Sequence, residues 1–370
     1  YNKKRKLSIF LPSRYEIDTT KQFDVMYVLD AQYEPYTQIV SSLVEYYSNA
    51  QSAIPFIIVG IHSPNRWDDF LPNDNPKGGS AIFSQFLNQE VESYLVKNYR
   101  VGNMRVGVGH SLGGTLVLQE MIQSKSLFQA GIIISPNMVY SDNELAKHVE
   151  QYFESKPETY RYFYVRGGTA DQTEQLFTPQ IERTTEKLMQ FPTAKEMWNY
   201  LTFEGQNHMS TFPTSFLDGY LQITNLLQFS SLSISNAEKL EDEKLTCIVK
   251  DFYKQKAKLL QEKENITAED ILQAAVSFRE SGDYKAALRI VGLAKEILES
   301  EMNLDVDKKL QMDNRIYHIE NYSKIMLMQD EAMKFYSEGK IEESVETFKQ
   351  AFALNYLQAT HGVRINAVPI

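Results

Sequence analysis

At 370 residues the chain is long enough for two domains of ordinary size, and 43% hydrophobic with 23% charged residues is the balance of a globular protein. A net charge of −10 argues against a nucleic-acid backbone or an anionic membrane surface as the main partner. A single cysteine, Cys247, excludes a disulfide framework and a cysteine-based zinc site, and no apolar run approaches the eighteen or so residues of a membrane span.

From the N-terminus to residue 230, apolar runs alternate with amphipathic stretches, the pattern of an α/β fold. Strands are predicted at Leu7–Leu11, Val25–Leu29, Phe56–Ile61, Met104–Val108, Gly131–Ile134, Tyr162–Val165 and Trp198–Phe203. Helices are predicted between them at Tyr36–Tyr47, Ile82–Asn98, Leu112–Ser124 and Glu174–Met189. Short, continuously apolar strands point to a sheet covered on both faces. The loop His62–Gly79 is long, polar and punctuated by proline, as functional loops often are. It offers Arg66 to clamp an anionic part of a substrate and Trp67 to stack on it. The plainer reading pairs Arg66 with Asp68 or Asp69 and leaves it holding the loop.

Residues 105–114 read Arg-Val-Gly-Val-Gly-His-Ser-Leu-Gly-Gly, a G-x-S-x-G pattern at Gly109, Ser111 and Gly113. A buried strand precedes it and a helix follows, which is the setting a nucleophile elbow needs. A serine hydroxyl is a poor nucleophile at neutral pH and requires a base. Of six histidines, His110 should point away from Ser111, His148 lies in an amphipathic helix, and His318 and His361 fall in the helical part. His208 follows the last strand in the loop Phe203-Glu-Gly-Gln-Asn-His-Met-Ser, where the chain order serine, acid, histidine puts the base. The acid should come from the loop after Tyr162–Val165, with Asp171 the first choice and Glu174 the alternative. One oxyanion donor should be the Leu112 N–H and the other the N–H of Ile61 or His62, after strand Phe56–Ile61.

The character changes near Ser230: a serine-rich stretch and a charged run read as a linker over 231–245, and helical patterns fill 246–370. Phe278–Ala294 and Phe335–Ala351 align without gaps, matching Phe278 to Phe335, Gly282 to Gly339, Ala287 to Ser344 and Ala294 to Ala351. Both resemble the tetratricopeptide repeat, a helix, a glycine turn and a second helix. The copies lie 57 residues apart (335 − 278) rather than the roughly 34 of a contiguous array, with a further helical stretch, Asp305–Met328, between them. A plain helical bundle is the competing reading.

Together the motifs of residues 1–230 resemble the putative-esterase family, which includes esterase D and the enterobactin and salmochelin siderophore esterases. The resemblance runs through Ile9-Phe-Leu-Pro12, Val28-Leu-Asp30, Arg66-Trp-Asp-Asp-Phe-Leu-Pro72, Gly109-His-Ser-Leu-Gly-Gly114, Ser135-Pro-Asn137 and Glu204-Gly-Gln-Asn-His-Met-Ser210. It implies an α/β-hydrolase fold and hydrolysis of a small-molecule carboxylic ester with neither metal nor cofactor, Ser111 as nucleophile and His208 as base. The substrate is then a multi-ester siderophore or an acyl ester of a carbohydrate or small metabolite. The contrasting reading is a catalytically weak hydrolase scaffold whose helical repeats bind a protein or peptide partner. The chain opens on Tyr1 rather than Met, and with the family's habit this favours export to the periplasm or medium over the cytoplasm.

Overall fold

The computed structural model describes residues 4–71, 79–301 and 304–360. Residues Pro72 to Gly78 of the long loop, and His361, lie outside them. The chain divides into two compact units, Tyr1–Asn225 with Lys258–Glu262, and Leu226–Ala257 with Lys263–Ile370.

The first unit is built on seven strands: β1 (Leu7–Phe10), β2 (Phe23–Val28), β3 (Phe56–Ile61), β4 (Val101–His110), β5 (Ala130–Ile134), β6 (Tyr162–Gly167) and β7 (Trp198–Thr202). Their order across the sheet is β1-β3-β2-β4-β5-β6-β7, with β1 antiparallel to β3 and every other pair parallel. Every residue of β3, β5 and β6 is buried, because helices cover both faces; that is why these strands read as unbroken apolar runs. The covering helices are α1 (Glu34–Asn49), α2 (Arg66–Phe70), α3 (Ser80–Gln85), α4 (Glu92–Asn98), α5 (Leu112–Met121), α6 (Tyr140–Glu154), α7 (Gln172–Leu188), α8 (Pro192–Met197) and α9 (Thr211–Leu227). The predicted helix Ile82–Asn98 is broken: a π-helical turn, Phe86–Val91, separates α3 from α4.

One consequence of the strand order governs the site. From β2 the chain crosses through α1 to β3, outward toward the β1 edge, and β4 then inserts on the other side of β2. Strand order therefore reverses between β2 and β4, the kind of switch point at whose carboxyl ends open α/β sheets bind ligands.

The second unit is helical: α10 (Asp242–Leu260), α11 (Ala268–Glu280), α12 (Tyr284–Ser300), α13 (Val306–Ser337) and α14 (Ile341–Thr360). The two aligned segments occupy corresponding places in the hairpins α11–α12 and α13–α14. Gly282 and Gly339 take the turns with φ of +83° and +77°, which side chains rarely adopt. Ala287, Ala294, Ser344 and Ala351 are buried where the paired helices cross. The separating stretch expected at Asp305–Met328 is not a separate helix, since it runs on unbroken through Ser337. Nor is 231–245 a free linker: Ser231 donates from its N–H and Oγ to Ser277 (2.9 and 2.8 Å), and Ala237 is buried. Among the described residues no helix is long and apolar enough to cross a membrane.

Candidate active site

Ser111 sits between β4 and α5 with φ 58° and ψ −123°, a strained conformation for a residue with a side chain. Two bonds fix it there: its N–H donates to Ile134 O of β5 (2.9 Å) and its carbonyl accepts from Thr115 N (3.0 Å). The flanking glycines are required by close approach. A Cβ on Gly109 would overlap the Gly113 carbonyl, and one on Gly113 would lie 2.9 Å from Asp30 Oδ2. The serine is partly exposed, and among the described residues its hydroxyl makes no hydrogen bond.

His208 follows β7, in the turn leading to α9. Its Nδ1 lies 2.6 Å from Glu174 Oε1, and its side chain is 16% exposed while that of Glu174 is fully buried. The other oxygen of Glu174 accepts from Gly168 N (2.6 Å) and from Thr178 Oγ1 (3.3 Å). Burial alone would push this carboxyl up, but hydrogen bonds from His208, Gly168 N–H and Ser135 outweigh it and hold it below the ordinary glutamate value. It is therefore an ionised carboxylate against an imidazole N–H.

Asp171, the first choice for this place, is elsewhere. It is the N-cap of α7, where Oδ1 accepts from Glu174 N (2.9 Å) and Oδ2 accepts from His208 N (2.8 Å). Those two amides, Glu174's first, hold its carboxyl below the usual aspartate value. It touches the histidine's backbone, not its ring.

The second correction concerns the oxyanion donors. Leu112 N–H opens α5 and has no acceptor among the described residues. Ile61 and His62 stand one strand away from it. His62 N–H donates to Lys6 O (3.2 Å), and its Nε2 shares a 2.8 Å hydrogen bond with Ser8 Oγ. Ile61 ends β3 and His62 follows it, and β2 separates β3 from the nucleophile strand. The loop that does adjoin β4 follows β2. In it, Ala31 N–H donates to Ile61 O and Tyr33 N–H to Asp30 O, while Gln32 N–H has no acceptor among the described residues. The Gln32 side chain braces the loop, donating to Asp30 Oδ1 (2.8 Å) and accepting from Ser63 N (2.9 Å).

Arg66 is tied to neither Asp68 nor Asp69. Its Nη2 donates to Asp30 Oδ2 (2.8 Å) and reaches His110 O at 3.4 Å. Asp30 is buried, which raises its pKa, and Arg66 opposes that rise. Asp69 is itself buried and takes both terminal nitrogens of Arg5 (2.6 Å each) and the Ser63 hydroxyl. Trp67 is 59% exposed and Tyr33, on the β2 loop, 54%. His148 is on the exposed side of α6, near Glu144, and His318 stands against Tyr317 in α13. Removing the Arg66 charge leaves Asp30 buried without its counter-ion. Arg66→Ala is expected to cost about 3 kcal/mol in urea unfolding, and the double variant with Asp30→Asn to recover most of it.

The comparisons bear on what this arrangement is. The family described as Putative esterase matches residues 1–220. The ferri-bacillibactin esterase BesA of Bacillus subtilis (strain 168) is 21% identical over 238 residues, spanning 57% of this chain and 82% of that protein. An IroE-like serine hydrolase from Shewanella oneidensis shares the fold with a TM-score of 0.61 at 18% identity, over 79% of this chain and 95% of that one. An uncharacterised protein from Capnocytophaga ochracea DSM 7271 does so with a TM-score of 0.57 at 17% identity, over 86% and 96%. With its mostly parallel α/β-hydrolase sheet, the chain belongs to the putative-esterase family and is a serine hydrolase of carboxylic esters.

Proposed function

We propose that Ser111, His208 and Glu174 form the catalytic triad of a siderophore esterase. The observation that carries the triad is the 2.6 Å bond from His208 Nδ1 to a buried Glu174, with the His208 carbonyl held by His110, the residue before a serine strained at φ 58°. Ser111 Oγ attacks the ester carbonyl as His208 Nε2 takes its proton, and the N–H groups of Leu112 and Gln32 receive the oxyanion. Nε2 returns the proton to the departing alkoxide. Water, deprotonated by the same nitrogen, then cleaves the acyl-enzyme and frees the acid. Glu174 keeps the proton of the resting imidazole on Nδ1 and stabilises the imidazolium. The hydroxyl has no partner in the unliganded site, where catalytic hydrogen bonds are commonly long and tighten only with substrate.

The substrate reading rests on BesA, named as an esterase of ferri-bacillibactin, and on the exposed rings of Trp67, on α2, and Tyr33, on the loop after β2, which suit flat aromatic groups. An iron-bound catecholate triester is expected to give a kcat/KM at least about tenfold above acetyl or feruloyl sugar esters, a margin of ~1.4 kcal/mol in transition-state binding. A preference for the sugar esters would overturn the siderophore assignment and leave the triad standing.

A further inference from the structure

We infer that His110 is a positioning residue, a one-residue calliper that sets the distance between nucleophile and base by holding the His208 carbonyl. The inference rests on the reading of His208 as the base. His110 is the last residue of β4 and the covalent neighbour of Ser111, and it is 3% exposed. Its Nε2 lies 2.7 Å from His208 O. A carbonyl oxygen only accepts, so Nε2 carries the proton. In the neutral ring Nδ1 is then the acceptor, matched by the Tyr36 hydroxyl at 2.8 Å. The two imidazoles lie against each other with centroids 4.4 Å apart.

His208 is thus gripped at every polar atom except one. Asp171 holds its N–H, Glu174 its Nδ1, and His110 and Thr211 Oγ1 its carbonyl, at 2.7 Å each. Only Nε2 has no partner among the described residues, and it is the atom the chemistry uses. The grips from Asp171 and Glu174 come from the α7 end, and Thr211 belongs to α9. Among the described residues, His110 alone connects the base directly by hydrogen bond to the strand that leads into the serine. Two catalytic groups on separate loops are thereby referenced to each other through one peptide bond and one hydrogen bond.

The clamp must also stay uncharged. When His208 becomes an imidazolium, a second positive ring at this separation would oppose it. Burial, together with His208 itself, lowers the His110 pKa to about 3, so the ring stays neutral.

The test uses the full chain with p-nitrophenyl butyrate and three substitutions. His110→Phe keeps a ring without a donor. His110→Gln places an N–H near the position of Nε2. His110→Asn carries its N–H one bond too short. The Phe and Asn variants are expected to lose about 10- to 100-fold in kcat with KM within about twofold, and Gln to stay within about fivefold of wild type. A folded Phe variant with unchanged kcat would overturn the inference. So would equal losses in Asn and Gln, a comparison that still decides if the Phe variant proves insoluble. His208→Ala separates the two readings, because activity surviving in that variant defeats the base assignment whatever His110 does.

Discussion

Ser111→Ala is expected to reduce kcat for ester hydrolysis about 10⁴- to 10⁶-fold, with the fold intact and fluorophosphonate labelling abolished. Alanine removes only the hydroxyl. Gly109, Gly113 and the bonds from Ser111 N to Ile134 O and from Thr115 N to Ser111 O all remain, so the elbow keeps its frame. What survives is the residual catalysis of substrate binding and oxyanion stabilisation. Single-turnover kinetics with a chromogenic ester measure it, and a variant retaining more than about 10% of kcat would place the nucleophile elsewhere.

Glu174→Gln should be nearly as damaging, about 10³- to 10⁴-fold in kcat, while Asp171→Asn should cost less than about fivefold. The two substitutions differ in what they do to the imidazole tautomer. Gly168 N–H requires an acceptor at 2.6 Å, so a glutamine turns its carbonyl oxygen there and its NH₂ toward His208 Nδ1. Nδ1 must then accept, the ring proton moves to Nε2, and the nitrogen that should receive the serine proton is already occupied. The imidazolium also loses its buried counter-charge. An asparagine at 171 keeps one oxygen, which caps α7 through the Glu174 amide about as well as aspartate does; it gives up only the acceptor for the His208 backbone N–H and leaves the carboxylate at the ring untouched. Comparing kcat for the two variants checks this directly. The reverse order of effects would restore Asp171 as the acid.

That both acids were candidates, and which of them meets the imidazole, follows from local helix chemistry. Asp171 and Glu174 stand three apart at the start of α7, the spacing of an N-cap and the N3 residue. An N-cap carboxylate is drawn to the N3 amide, which is what Asp171 accepts from, so the residue free to reach across is the N3 acid. Chain position alone favours the loop residue, Asp171. The elbow was legible because its glycines, strand and helix are contiguous, and His208 because it closes the last strand. The loop proposed to complete the oxyanion hole was not. Chain order makes β3 the strand preceding the nucleophile strand β4, whereas the crossover through α1 sets β2 beside β4, and only pairing in space reveals that. In the helical part, the two aligned segments fall on the hairpins α11–α12 and α13–α14. The repeat pattern missed the continuity of α13, because nothing in a 32-residue run such as this breaks a helix where the repeat would require it.

The two carboxylates that anchor α2 decide how this site can be remodelled. Asp30 holds Arg66 from the nucleophile side, and Asp69 is held by Arg5 from the edge of the sheet. Trp67 stands between these two moorings, on a helix tied at both ends and with its ring exposed. Selectivity among esters should accordingly change with the side chain at position 67 alone, which makes that position the natural one at which to retune the enzyme while its catalytic frame stays untouched.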